Sequence, residues 1–266
     1  MKSSLPIGVF DSGVGGLTVL RALRKELPSE RLVYLGDTAR VPYGTKSQET
    51  VTRYSLEVGR FLEARGVKHL VVACNTATAL ALPALEKGLS VGVTGVIEPA
   101  VRAALAAAGA GAVGVIGTEA TVASGAYQRS WRKAGGRGRM AAAACPLFVP
   151  LVEEGWWGHR VTREVARTYL TPLMRSRPRA LILGCTHYPL LKPVLSSVVG
   201  RGVALIDSGA ETAREVRARL SAAGLLRASG AGGADYFVTD GPARFERLAR
   251  RFLGKPAKAR VVRFPG

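Results

Sequence analysis

Short apolar runs recur along the chain, and each stops at small or polar residues. Ile7-Gly8-Val9-Phe10 stops at Asp11-Ser12-Gly13, and Leu32-Val33-Tyr34-Leu35 stops at Gly36-Asp37-Thr38. Leu70-Val71-Val72-Ala73 stops at Cys74-Asn75-Thr76, and a fourth run, 91–97, stops at Glu98-Pro99. The series resumes with 112–116, 140–144, 180–183 and 203–206. These stop at Gly117-Thr118, Cys145-Pro146, Gly184-Cys185-Thr186-His187 and Asp207-Ser208-Gly209. Continuous apolar runs of this length predict strands buried on both faces, as in a parallel sheet. Between them, 17–27, 48–65, 121–134, 162–175 and 210–223 carry Ala, Leu, Arg and Glu at helical spacing. The alternation predicts an α/β fold. The strands form two sets of four, and the third strand of each set ends in a cysteine. This weak internal repeat predicts two similar α/β halves. A tail is left over: a loop over 228–234, a strand over 235–239 and a helix over 242–253, with Asp240 as its N-cap. It is expected to pack back on one of the halves.

The chain has 266 residues, enough for one large or two small domains at roughly 100–200 residues each. Hydrophobic residues make up 47% and charged residues 21%, which excludes a disordered or collagen-like chain. Three cysteines in so long a chain argue for a reducing compartment rather than a disulfide scaffold. The longest uncharged stretches, 70–85 and 103–118, fall short of the ~20 apolar residues of a membrane helix. The N-terminus has no signal-peptide pattern, so a cytoplasmic protein without membrane contact is expected.

The net charge is +19. A balance this basic suggests anionic partners, nucleic acid above all, or steering of an anionic metabolite. However, there are 29 Arg against 9 Lys beside abundant Ala and Gly, which is what GC-rich codons produce. The positive residues are also scattered, with no aromatic-interleaved patch, so composition is the simpler account.

In parallel α/β sheets ligands bind beyond the carboxyl ends of the strands. The residues there are Asp11, Ser12, Cys74, Asn75, Thr76, Thr118, Cys185, Thr186 and His187. The two equivalent cysteines admit three readings. Either is a small buried hydrophobe, or both belong to a metal or disulfide, which their wide separation and the lack of a CxxC do not indicate. In the third reading they are a pair of thiol acid/bases on opposite sides of one substrate, tuned by neighbours such as His187. Cys145, followed by Pro146, reads as structural, His69 as a surface residue, and Trp156, Trp157 and His159 as a core or interface cap. Gly13-Val14-Gly15-Gly16 fails the dinucleotide pattern because position 18 is Thr, and no Walker A sequence exists.

Seven segments together resemble the bacterial glutamate racemases of the aspartate/glutamate racemase superfamily. They begin with 7–19 (IGVFDSGVGGLTV), 34–44 (YLGDTARVPYG), 73–78 (ACNTAT) and 95–99 (GVIEP). They continue with 117–121 (GTEAT), 183–191 (LGCTHYPLL) and 206–209 (IDSG). The resemblance runs from Ile7 to about Leu253. It implies two pseudo-symmetric α/β domains with mainly parallel central sheets and the active site in the cleft between them. The first domain would be discontinuous, 1–98 plus 208–266, and the second would be 99–207.

The resemblance further implies cofactor-independent interconversion of L- and D-glutamate for peptidoglycan synthesis, with no metal and no pyridoxal phosphate. By family precedent Cys74 works on D-glutamate and Cys185 on L-glutamate, with Asp11 assisting Cys74 and His187 assisting Cys185. Glu153 matches a further carboxylate near the second thiol, more loosely because Glu154 is adjacent. The implied substrate-binding set is Asp11, Ser12, Pro42, Tyr43, Gly44, Cys74, Asn75, Thr76, Thr118, Thr121, Cys185, Thr186 and His187. A homodimer is the expected assembly, racemisation of aspartate is the runner-up activity, and nucleic-acid or gyrase binding is a secondary expectation. Relatives activated by a peptidoglycan precursor carry a longer N-terminal region than the six residues before Ile7, so no such activation is expected.

Overall fold

The structure, a computed structural model, describes residues 2–264. Strand and helix alternate as the apolar pattern predicts. The chain runs through β1 (Ile7–Asp11), α1 (Leu17–Glu26), β2 (Arg31–Gly36), α2 (Gln48–Ala64), β3 (His69–Val72), α3 (Asn75–Gly88), β4 (Gly92–Gly95) and α4 (Ile97–Ala108). A second series follows: β5 (Val113–Gly117), α5 (Glu119–Ala123), α6 (Ala126–Lys133), β6 (Met140–Ala144), α7 (Phe148–Glu153), α8 (Arg160–Met174), β7 (Ala180–Gly184), α9 (Lys192–Val199) and β8 (Ala204–Asp207). The chain then continues through α10 (Ser208–Ala222), β9 (Gly233–Val238), α11 (Pro242–Leu253) and β10 (Ala259–Val261).

The strands build two sheets, ordered β10-β9-β2-β1-β3-β4 and β6-β5-β7-β8. Every pairing is parallel. The runs β2-β1-β3-β4 and β6-β5-β7-β8 have the same order, so the repeat in the sequence is a repeat of topology. The protein is therefore an α/β fold of two parallel sheets. The tail joins the first sheet, with β9 pairing along β2 from Arg31↔Gly233 to Gly36↔Val238. One core cluster runs through both halves, from Ile7, Val9 and Leu20 to Leu183, Cys185 and Tyr188. Among the described residues no helix is long and apolar enough to cross a membrane.

Local physics overrode the apolar pattern in four places. The fourth run is not strand to its end: Ile97 opens α4, whose buried Ile97, Ala100, Val101 and Ala104 recur at helical spacing. The expected helix over 121–134 is two helices, parted by Gly125 in the left-handed region at φ 64°. Gly241, at φ 59°, takes the N-cap position of α11 in place of Asp240, whose Oδ1 accepts the Gly241 N–H at 2.7 Å. His69 is not on the surface. It is the first residue of β3, a strand flanked on both sides, and its Nε2 is 2.8 Å from Thr94 Oγ1.

One buried ion pair fastens the start of β3 to remote chain. Lys68 Nζ donates to Glu30 Oε2 (2.6 Å), Ser3 O (2.7 Å) and Leu225 O (2.8 Å). All three ammonium hydrogens are used. Glu30 Oε1 accepts the Arg227 N–H at 2.9 Å, and both charged side chains are 1% exposed. Lys68→Met would leave the Glu30 carboxylate buried and unpaired, so the expected loss is about 3–5 kcal/mol in urea unfolding. The double variant Lys68→Met, Glu30→Leu should lose less. Equal losses would show that the pair does not act as a unit.

Candidate active site

Parallel strands deliver their carboxyl-end residues to one side of a sheet, and here both sheets deliver them to one cavity of about 350 Å³. From the first half it is lined by Ser12, Pro42, Tyr43, Gly44, Cys74, Asn75 and Thr76. From the second it is lined by Thr118, Glu153, Cys185, Thr186 and His187. Two residues of the expected set lie behind this wall. Asp11 and Thr121, each 1% exposed, are not among the residues that line the cavity.

Cys74 follows β3 and caps α3, its Sγ accepting the Ala77 N–H at 3.4 Å. The thiol faces Ser12 Oγ at 3.6 Å. Burial pushes the thiol up to about 12, and the charge of Asp11 adds to the push. Cys74 is thus held as the protonated thiol at neutral pH. Asp11 itself is raised above the ordinary carboxyl range by burial, against the opposing pull of backbone N–H groups and His187. Its Oδ2 accepts the Gly13 N–H at 3.0 Å, while its Oδ1 is buried with no partner. Tyr34 OH donates to Gly13 O at 2.7 Å and fixes the loop that covers Asp11. Gly16 lets that loop close, since a Cβ there would lie 2.4 Å from Asp11 Cβ.

Cys185 follows β7 in the equivalent place, but what stands behind it is different. His187 Nδ1 lies 3.9 Å from its Sγ and 3.5 Å from Thr186 Oγ1. His187 Nε2 donates to Glu153 Oε1 at 3.1 Å, and Glu153 Oε2 accepts from Arg244 at 2.8 Å. Burial pulls the imidazole down, but its hydrogen bonds to Cys185 and Glu153 outweigh burial and hold it up at about 10. Burial likewise raises Glu153, yet His187 and Arg244 bring it below the ordinary range. The halves meet directly here. Thr18 Oγ1 donates to Thr186 O at 2.8 Å, and a Cβ on Gly15 would lie 2.2 Å from Thr186 Oγ1 and 2.5 Å from the His187 ring.

Along and behind the remaining wall run further hydrogen-bonded side chains. Tyr127 OH donates to Asn75 Oδ1 at 2.6 Å, leaving Asn75 Nδ2 buried with no partner. The hydroxyls of Thr76, Thr118 and Thr121 form a triangle with sides of 3.0, 3.1 and 2.9 Å that spans both halves. Tyr43 OH donates to the buried Asp37, which also accepts from Arg40 and Thr239. That anchors the turn after the cis Val41–Pro42 bond and sets Gly44 against Thr118.

Sequence reasoning did not find Arg244 or Tyr127. Each reaches its partner across more than fifty residues of chain, and no local spacing announces such a contact. Cys145 lies in the core with its carbonyl accepting from Tyr188 OH. Trp157 donates to Val152 O, Trp156 is exposed, and His159 caps α8. Among the described residues no group of three or more His, Cys, Asp or Glu is placed to hold a metal ion.

Comparison with known proteins points the same way. The family model described as Asp/Glu/Hydantoin racemase matches residues 12–216. A glutamate racemase of Geobacter metallireducens is 55% identical over 249 residues, covering 93% of this chain and 92% of the relative. The crystal structure of glutamate racemase from Thermus thermophilus in complex with beta-chloro-D-alanine superposes with a TM-score of 0.90 at 52% identity, covering 98% of each chain. That of Francisella tularensis, in complex with D-glutamate, gives 0.91 at 34% identity, again over 98% of each chain.

The two buried histidines should tilt stability in opposite directions with pH. Burial, with Arg219 and Lys68 adding, holds His69 down at about 4. Its contribution is whole above its unfolded value of about 6.5 and drains as pH falls through 4. His187, held at about 10, contributes fully below about 6.5 and loses that contribution as pH rises through 10. Urea midpoints across this range should lose their acid slope in His69→Gln and their alkaline slope in His187→Gln; the reverse assignment would refute both. Gly15→Ala should displace the imidazole and lower its titration midpoint in ring-proton NMR. An unchanged midpoint would mean the glycine does not set the approach of the two halves.

Proposed function

This chain belongs to the Asp/Glu/hydantoin racemase family, among its glutamate racemases, and is an isomerase; from that premise we propose that it moves the glutamate Cα proton between two thiols, Cys74 and Cys185. The observation that carries the proposal is the placement of two free cysteines on equivalent strand ends of two sheets that share one cavity. We divide the chain accordingly into domains 1–98 plus 208–266 and 99–207, with the substrate between them.

Racemisation takes a proton from one face of Cα and returns one to the other, so the two carriers must start in opposite states. Cys74 is held as the thiol. His187, held protonated by its hydrogen bonds to Cys185 and Glu153, places a cation beside Cys185, the partner a thiolate needs. In the resting enzyme Cys185 therefore takes the proton of L-glutamate as S–H. The electron pair of the broken C–H bond passes into the adjoining carboxylate, and Cys74 S–H delivers its proton to the opposite face. The product is D-glutamate, with Cys74 left as thiolate, ready for the reverse reaction. Asp11, whose carboxyl is already raised, is the group behind Cys74 that can take up or return a proton.

The carbanion has no cofactor ring to spread into in this scheme, so fixed donors must stabilise the charge gathering on the carboxylate. The unpartnered Nδ2 of Asn75, the hydroxyls of Thr76 and Thr186, and the N-terminus of α3 supply them. Ser12, Tyr43, Gly44 and Thr118 are left to hold the other end of the substrate. The reading places the enzyme in the cytoplasm as a source of D-glutamate for peptidoglycan.

Cofactor-free protein in D2O should replace the Cα proton of L-glutamate, followed by NMR, while ellipticity decays. Cys74→Ala and Cys185→Ala should each lower racemisation by at least about 10²-fold, the lower range for losing a general acid or base. Exchange with L-aspartate and not with glutamate would overturn the substrate. Activity surviving both substitutions would overturn the two-thiol scheme.

A further inference from the structure

Asn75 presents an amide whose two ends do opposite things. If Nδ2 faces the cavity it donates to a carboxylate; if Oδ1 faces it, the amide repels one. An amide can rotate between these states, so something must choose. Tyr127, on α6 of the second half, donates its phenolic hydrogen to Asn75 Oδ1 at 2.6 Å across the interface between halves. This is the one hydrogen bond of the Tyr127 hydroxyl among the described residues. Its ring is 1% exposed and packs beside Gly184, where a Cβ would lie 3.1 Å from ring carbon Cε2. Asn75 is 2% exposed, lines the cavity, and has Nδ2 buried without a partner.

We propose that Tyr127 is a positioning residue for the racemisation. It engages Asn75 Oδ1, so that the Nδ2 hydrogens, which have no other partner, are left for the substrate carboxylate. The inference rests on the functional reading above and deepens it. Three properties suit Tyr127 to the task. A ring held by packing keeps its hydroxyl oxygen within 2.6 Å of the amide. Burial, with the nearby Cys185 adding, raises the phenol further above its ordinary value, so it remains a donor at every working pH. Because the bond joins α6 to the N-terminus of α3, it also fixes the amide relative to Cys185, which follows the Gly184 that the ring abuts.

The constraint costs the ground state little. Its value appears as charge gathers on the carboxylate, when a correctly aimed N–H strengthens most. Tyr127 should therefore affect kcat more than KM.

The test is a double-mutant cycle read by racemisation of L-glutamate. Tyr127→Phe keeps the ring and removes only the hydroxyl. It should lower kcat about tenfold, the value of one hydrogen bond, with KM changed less than threefold. Asn75→Ala should lower kcat further, and Tyr127→Phe should add nothing in that background. Thermal melting of each variant separates a folding loss from a positioning loss. If the two substitutions multiply, or if Tyr127→Phe raises KM alone, the hydroxyl does not act through the amide and the proposal is overturned. If the unsubstituted enzyme does not racemise glutamate, the functional reading itself falls and takes this inference with it, so the two failures are distinguishable.

Discussion

A close approach of the two halves is set where there is no side chain. The loop that leaves β1 reaches α1 through Gly13, Gly15 and Gly16, and the Thr186–His187 segment rests on the bare backbone of Gly15. A methyl group there would overlap both residues. Given that contact, the other features of the cavity follow. Thr18, one turn into α1, comes within reach of the Thr186 carbonyl. Asp11 is sealed beneath Gly16 rather than opened to water. His187 is brought inside the partition between the halves, where Glu153 meets its Nε2 and the Phe252 ring packs perpendicular to it. A looser contact would admit water, and water would level the differences in charge that the cavity maintains.

Those differences turn a symmetric scaffold into an asymmetric site. Cys74 and Cys185 occupy matching places on sheets of matching order. Backbone geometry alone would make their sulfurs alike. What separates them is the second rank of residues: a carboxyl group stands behind one and an imidazole behind the other. The imidazole is in turn part of a chain of alternating charge that passes through Glu153 to Arg244 on α11. A repeated fold thus supplies two sites, and unshared neighbours give each different electrostatic surroundings.

Much of this was legible in the sequence because strands of a parallel sheet are buried on both faces and read as unbroken apolar runs. Such runs end where the polarity changes, and in this topology those ends are where ligands bind, so Asp11, Cys74, Thr118 and Cys185 could be named together. The resemblance names Thr121 and Asp11 for the site, but a motif does not tell a residue that lines a cavity from one behind its wall. Ile97 reads as strand because an apolar run gives no sign of the point where spacing changes from strand to helix. His69 reads as a surface residue from its position before a run of leucine and valine, while its burial depends on β1 and β4, which pair on either side. Arg244 and Tyr127 were out of reach for the same reason: their partners are set by how whole sheets pack.

The path of the chain has a consequence for biosynthesis. β2 is paired on one side with β1, and on the other with β9, which is made only after the entire second sheet. On the ribosome, therefore, the first sheet spends most of translation with β2 as an open edge, a row of unpaired amides and carbonyls able to recruit a foreign strand. The second sheet, contiguous in sequence, can complete itself during that interval. The order of emergence makes the inserted half the first to finish and the enclosing half the last. The late arrival of β9 closes the edge and, through α11, brings Arg244 to Glu153 in the same step.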